Sequence, residues 1–493
     1  MTHDFSYSLI QTTDGGYVVA GTTASIDGDL TDKHRAWWDA WVVKLSSSGS
    51  IVWKKSFGGS GDDFAKSIIQ TSDGGYALAG YTNSTDGDVL GKHGNYDAWV
   101  IKLNSSGNIE WQKCLGGDSL DEAYSIIQTS DGGYAIAGGT YGDVSGFHGG
   151  LSDAWVIKLN SSGNLDWQKC LGGSGGDWGT SIIQTSDAGY AICGTTRSTD
   201  EGFNNHGSID AWVIKLTSSG NVQWHKSMGG TSIDNAYTII QTLDGGFIAA
   251  GDTWSNDGDV SGNHDIWDAW IFKLSSLGVL EWQKCLGGTG FDGIFSLTKT
   301  TDGGFVAVGS TASIDGDVSE NNGAHDAWVI KLDSLARIQW QECFGGTNTD
   351  NGNSIIQTSD GGFAFAGSAK SIDGDVFDKH GDATISDFWV VKLKNSSSVN
   401  ENITPTKEFS LTIFPNPATK TATLSFDLPN VSSEVVITIS SITGERMQEI
   451  HEQDEQSGHH EVALDLSRFS EGTYYVTVAA CGLTETTAVQ VVK

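Results

Sequence analysis

Hydrophobic and polar residues alternate along this chain in short bursts, and the bursts recur. In DAWVIKLN, Trp99, Ile101 and Leu103 fall on one side of an extended strand and Ala98 and Val100 on the other. Both sides are apolar, the pattern of a strand in a sheet covered on both faces. Upstream, SIIQT is an apolar run, SDGG a tight turn whose Gly residues can take positive φ, and YALAGYT a second strand rich in small residues. Downstream, the polar turn SSGN leads into IEWQKCLGG, a further strand. One unit thus predicts four strands, with the long loop NSTDGDVLGKHGNY between the second and third.

The unit repeats. Its aligned markers are Gln11, Gln70, Gln128, Gln184, Gln241, Lys299 and Gln357, separated by 59, 58, 56, 57, 58 and 58 residues, which makes seven copies. Four antiparallel strands per copy predict an all-β chain with a seven-bladed β-propeller over residues 1–393, because solenoid units are shorter and built differently. An open β-array is the alternative, and it would leave strand edges exposed. The last copy stops at Leu393 without a fourth strand, whose Trp occurs only as Trp53, Trp111, Trp167, Trp224, Trp282 and Trp340. The first residues, MTHDFSYSLI, show no basic region followed by an apolar one. Together these predict a signal peptide and a WQK-type strand upstream of Met1; the alternative is one three-stranded blade.

Composition narrows the function classes. The formal net charge is −33, which argues against nucleic acid and anionic lipid as partners and leaves cations as natural small ones. No apolar run approaches the ~18 residues of a membrane span. Of six cysteines, Cys114, Cys170, Cys285 and Cys343 share one repeat position, where other copies carry Ser56 and Ser227. Neighbouring sheets place such positions ~10 Å apart, beyond disulfide reach, so they are expected as small buried residues. Cys193 and Cys481 have no evident partner.

An up-and-down blade puts its two short turns at one end and its long loop and blade-to-blade link at the other, so binding is expected at the long-loop end. That end is acidic. Asp4, Asp63, Asp121, Asp177, Asp234, Asp292 and Asp350 open the copies, and Asp39, Asp97, Asp153, Asp210, Asp268, Asp326 and Asp387 precede the third strands. Seven copies suit scaffold capping better than one active site. A D-G-D element recurs as Asp27/Asp29, Asp86/Asp88, Asp257/Asp259, Asp315/Asp317 and Asp373/Asp375, while copies three and four depart from it around Asp143 and Asp200. Such paired carboxylates are calcium candidates, with a hydrogen-bonded loop as the alternative. Each long loop also holds one His, namely His34, His93, His148, His206, His264, His325 or His380, expected to pair with a nearby Asp because one His per blade cannot converge on zinc. Trp37, Trp38, Trp254 and Trp267, with Phe147 and Phe203, break the symmetry. They are candidates for sugar stacking or a protein partner, or they fold back over the blade edge. No Ser-His-Asp set, phosphate loop or metalloprotease motif is present, and near-identical copies are expected to give no unequal carboxylate pair for glycoside hydrolysis.

The pieces FGGSGDD, SDGGYALAGYT and DAWVIKL resemble the SBBP-type bacterial β-propeller repeat. That resemblance covers residues 1–393 and implies the fold but little about activity. From 394 to 408 the chain reads as a polar linker, and alternating apolar residues in 409–493 predict a small Ig-like β-sandwich of about seven strands. This segment resembles the type A C-terminal sorting domain of the type IX secretion system. The resemblance rests on Pro415, Asn416 and Pro417, on Gly444, on Gly472, Thr473 and Tyr474, and on the terminal Val491-Val492-Lys493. It implies export across the outer membrane of a Gram-negative bacterium, with attachment to the cell surface or release. The expected function is a non-enzymatic, monomeric surface propeller that binds a glycan, a protein or a cation. A carbohydrate-active enzyme with its site near the central channel, or a structural or adhesive element, is the alternative.

Overall fold

The computed structural model describes residues 3–26, 38–377, 379–380, 382–394, 411–428, 432–441, 446–455, 458–480 and 483–493. Among them every regular element is a strand, and the chain divides into two units, Met1–Ser396 and Ser397–Lys493. The 394–408 linker and Gly444 lie almost wholly outside the described residues.

The first unit holds seven antiparallel sheets. Six have four strands in simple up-and-down order, and the seventh, built from residues 350–393, has three. In the first sheet β1 (Asp4–Gln11), β2 (Tyr17–Thr23), β3 (Asp39–Leu45) and β4 (Ile51–Phe57) are neighbours in sequence and in space. The first strands of consecutive sheets approach one another all the way round, and Asp350–Gln357 of the seventh meets β1. Fourth strands make no such approach, so the first strands are innermost. The ring is closed by Leu9, Tyr17 and Val19 packing with Ala364 and Ala366, and by Asp4 N donating to Ser386 O at 2.8 Å. This is the arrangement of β-propeller blades, and it excludes the open array.

Packing follows from the two-faced strands. The third-strand tryptophans Trp99, Trp155, Trp212, Trp270 and Trp328 are fully buried between sheets. Each fourth-strand Trp reaches the following sheet, as where Trp111 meets Tyr134 edge-on at 5.6 Å. Cys114, Cys170, Cys285 and Cys343 are free and buried, the small core residues that their repeat position implied, and Cys193 is likewise free and buried.

Each first strand carries a β-bulge at the same place. In the second sheet Ala65 pairs with Gly80 and Ser67 with Ala79, leaving Lys66 without a cross-strand partner. The bulge brings the first strand so close that a Cβ on Gly80 would lie 1.8 Å from Phe64 O, and Gly138, Gly194, Gly251, Gly309 and Gly367 are held in the same way. Glycine is required there for space.

In the second unit, Leu411–Phe414, Thr421–Leu428 and Gly458–Asp465 form one sheet, and the remaining four strands form another. Leu424 and Phe426 from the first share one core with Ile437, Val476 and Val489 from the second.

Candidate functional site

At the long-loop end the carboxylates are engaged within the scaffold. Ser60 N donates to Asp86 Oδ1 at 2.6 Å, and Thr231, Thr289 and Thr347 donate likewise to Asp257, Asp315 and Asp373, each at 2.8 Å. The second Asp of each pair returns its own amide to the link: Asp88, Asp259, Asp317 and Asp375 N donate to Gly58, Gly229, Gly287 and Gly345 O at 2.7–2.9 Å. Gly87, between the two, takes φ +66 because any Cβ would meet Gly58 O. In the second, fifth, sixth and seventh sheets the D-G-D element therefore latches the long loop onto the incoming link. Calcium takes six to eight oxygens, and among the described residues no group of three or more His, Cys, Asp or Glu is placed to hold a metal. Asp27, Asp29 and Trp37 lie outside the described residues.

Among the described loops the histidine pairing holds closely in four, His380 stands 3.8 Å from Asp387, and His34 lies outside the described residues. His93, His148, His206 and His264 Nδ1 lie 2.6–2.9 Å from Asp97, Asp153, Asp210 and Asp268, whose carboxylates are buried. The sixth loop differs. There Asn322 N donates to Asp326 at 2.7 Å, while His325, next in sequence to Asp326, turns its ring edge to Phe291. Asp326 is pushed up to about 6 by burial, against the hydrogen bond from Asn322.

The predicted aromatics fall into two groups. Trp254, 47% exposed, stacks on Trp267 at 5.5 Å, and Trp267 continues to Phe291 at 6.1 Å. Trp38 instead belongs to a cluster at the axis, 5.8 Å from Phe5 and 6.3 Å from Phe64. Phe147 and Phe203 pack against the cores under their own loops, and in copy four Asp200 still accepts from Ser174 N at 2.9 Å.

Sequence reasoning missed the axis itself. The unpaired bulge residues of the innermost strands are Tyr7, Lys66, Tyr124, Thr180, Tyr237, Phe295 and Asn353. Two residues nearer the long-loop end stand Phe5, Phe64, Glu122, Trp178, Asn235, Gly293 and Asn351, paired with second-strand Thr22, Tyr81, Gly139, Thr195, Asp252, Ser310 and Ser368. These positions differ from copy to copy while the flanking Asp and Ser-Ile positions barely change. Variation inside an otherwise uniform repeat was the available signal.

One arc of this ring is aromatic. Phe64 and Tyr81 lie 4.6 Å apart, Tyr96 is 5.7 Å from Tyr81, and Tyr141 is 6.4 Å from Trp178. The Lys66 ammonium sits 3.6 Å over the Tyr7 ring, and burial lowers its pKa to about 8. Tyr124 Oη donates to Glu122 at 2.5 Å, and burial raises the Glu122 carboxyl above its ordinary range. The other arc is more polar, carrying Asn235, Asp252, Ser310, Asn351 and Ser368 beside the Tyr237–Phe295 ring pair. Asp252, 3% exposed, accepts from Asn235 Nδ2 at 2.7 Å and Tyr237 Oη at 3.0 Å, and burial carries it up to about 6 despite those bonds. Carboxyls with distinct surroundings therefore do occur here, contrary to the expectation drawn from near-identical copies.

In the second unit the motif residues brace the last strand. Asn416 Nδ2 donates to Ala488 O at 2.8 Å and its Oδ1 accepts from Gln490 N at 2.9 Å, between Pro415 and Pro417. Gly472 opens a strand at φ +154, and the buried Tyr474 donates to Ser470 O and meets Phe469 edge-on.

Residues 412–493 match the secretion system C-terminal sorting domain, so the chain carries the tail of proteins exported by the type IX secretion system. Among the described residues no helix is long and apolar enough to cross a membrane. The regulatory protein FlaEY of Caulobacter vibrioides is 25% identical over 191 residues, 36% of this chain and 20% of that protein. The chain thus spans about a fifth of the curated relative it matches. Similar solved structures include PorZ, a bacterial surface component of the type IX secretion system of Porphyromonas gingivalis. PorZ is 11% identical over 98% of this chain and 58% of its own, with a TM-score of 0.39. A puromycin hydrolase S511A mutant is 10% identical over 87% and 59%, with a TM-score of 0.45.

Proposed function

We propose that this chain is a cell-surface binding protein: a seven-bladed β-propeller over residues 1–393, a 394–408 linker and an Ig-like sorting domain over 409–493. The propeller recognises its ligand through the long-loop end. The observation that carries this reading is where the copies differ. Residues at the axis and in the long loops change from blade to blade, while the opposite end is repeated almost unchanged.

The type IX tail supports an extracellular setting, and the aromatic groups around Trp38 and Trp254 supply contact surface of the kind that anchors ligands. The test uses purified protein against glycans and against proteins extracted from bacterial surfaces. Replacing both Tyr81 and Trp254 should abolish retention of whatever binds. Retention unchanged by that double replacement would place recognition elsewhere and end this reading.

A further inference from the structure

We propose that the ligand seats at the axial mouth and is a neutral carbohydrate, held against the aromatic arc of sheets one to four and hydrogen-bonded by the polar arc of sheets five to seven. This rests on the binding-protein reading above and specifies it.

The geometry supplies both halves of sugar recognition. A pyranose offers an apolar face of C–H groups and a rim of hydroxyls. Phe5, Trp38, Phe64, Tyr81 and Tyr96 form a continuous chain of rings with centroids 4.6–6.3 Å apart, all only half-buried, so ring surface is presented at the mouth. On the fifth and seventh sheets of the ring, Asn235 and Asn351 are half-buried amides with both donors and acceptors to offer. Asn235 spends one donor on Asp252 and keeps its carbonyl.

Charge selects the neutral class. The carboxyls at the axis are held by neutral neighbours within the protein: Tyr124 binds Glu122, Tyr237 and Asn235 bind Asp252, and Tyr96 donates to Asp62, while Lys66 lies over Tyr7 beside Phe64 and Tyr81. A cationic ligand would have to lie beside Lys66 and Arg197, the latter 5.9 Å over the Trp178 ring, and an acidic glycan would meet a chain of net charge −33. The bulge explains why such groups can be gathered here. Each inserted residue is free of cross-strand pairing and is re-aimed by the local kink.

The full chain is tested with neutral gluco-, galacto-, manno- and xylo-configured tetrasaccharides by tryptophan fluorescence and calorimetry. Two substitutions borrow residues that equivalent positions of other sheets already carry: Tyr81→Thr, as at Thr22, and Phe64→Asn, as at Asn235. Each should weaken binding about tenfold, the loss of one stacking ring. Asn351→Ala should weaken it about fivefold, and Trp254→Ala should leave it unchanged. A melting curve on each variant confirms that it is folded. Full-strength binding by Tyr81→Thr and Phe64→Asn, with loss in Trp254→Ala, would overturn the axial site and leave the binding-protein reading standing. Capture of a surface protein with no sugar bound would overturn the carbohydrate. Absence of any ligand would end both.

Discussion

At the short-turn end, an aspartate in the first turn of every sheet meets a largely buried lysine from the third strand, as in Asp73–Lys102 at 2.9 Å and Asp302–Lys331 at 2.8 Å. Six of the first strands end in a glutamine that accepts an amide from the preceding sheet's turn at 2.7–2.9 Å, including Gln11 from Ser359 across the ring closure. The exception is Lys299, and the turn it faces carries Leu243, 98% exposed, where the others have Ser or Thr. At the axis the equivalent positions hold Tyr, Lys, Tyr, Thr, Tyr, Phe and Asn. The contrast separates two physical demands. Turns that clasp the next blade are kept nearly alike by the contact they make, whereas residues around the axis are freer to differ.

The comparison can be broken first where the two regions meet. Gly80→Ala drives a Cβ into the Phe64 carbonyl, and overpacking of this kind costs up to about 3 kcal/mol. Chemical denaturation should show that loss, together with a displaced Lys66. At the uniform end, Gln128→Ala removes one inter-blade acceptor and should cost about 1 kcal/mol, with ligand binding untouched.

The pH profile sharpens the contrast, because the two regions titrate in opposite senses. Hydrogen bonds from Lys331 and Thr300 hold Asp302 down at about 2, and those from Thr358 and Lys392 do the same for Asp360. Their contribution is present above about pH 4 and is lost as pH falls towards 2. Burial raises Asp252, Asp268 and Asp326 to about 6, so the folded chain keeps protons that the unfolded chain has released. Stability should fall as pH climbs from about 4 to 6. Thermal melts should therefore peak near pH 4–5, and Asp252→Asn should flatten the neutral limb only. The smallest effect is expected from chelation: with the D-G-D carboxylates occupied by amides, EDTA should leave the melting midpoint unmoved, and a drop would show that the latches hold a cation.

Strands, their order and their two-faced burial were legible because period-two patterning and a fixed repeat leave few alternatives. The D-G-D latch was half-legible: the pairing of carboxylates could be read, but which amides they face depends on a link some 26 residues away. His325 stands immediately before Asp326, where the pairing histidines stand four or five residues ahead, and Asn322 takes the equivalent place; a one-His-per-loop tally hid that offset. The axial ring could not be read because a bulge breaks the strict alternation by which strand faces are assigned, so Tyr124 or Tyr237 scans as noise between conserved-looking neighbours.

The unpaired residue in each innermost strand has a further consequence for how such a molecule can change. A substitution there leaves the strand register untouched, and its cost to folding is confined to side-chain contacts such as Lys66 over Tyr7, Thr180 donating to Ala236 O and Asn353 donating to Ser6 O. A ring that arose by copying one module would begin with seven identical inward groups, and each could then diverge alone. Specificity and architecture would in that way drift at separate rates along one polypeptide.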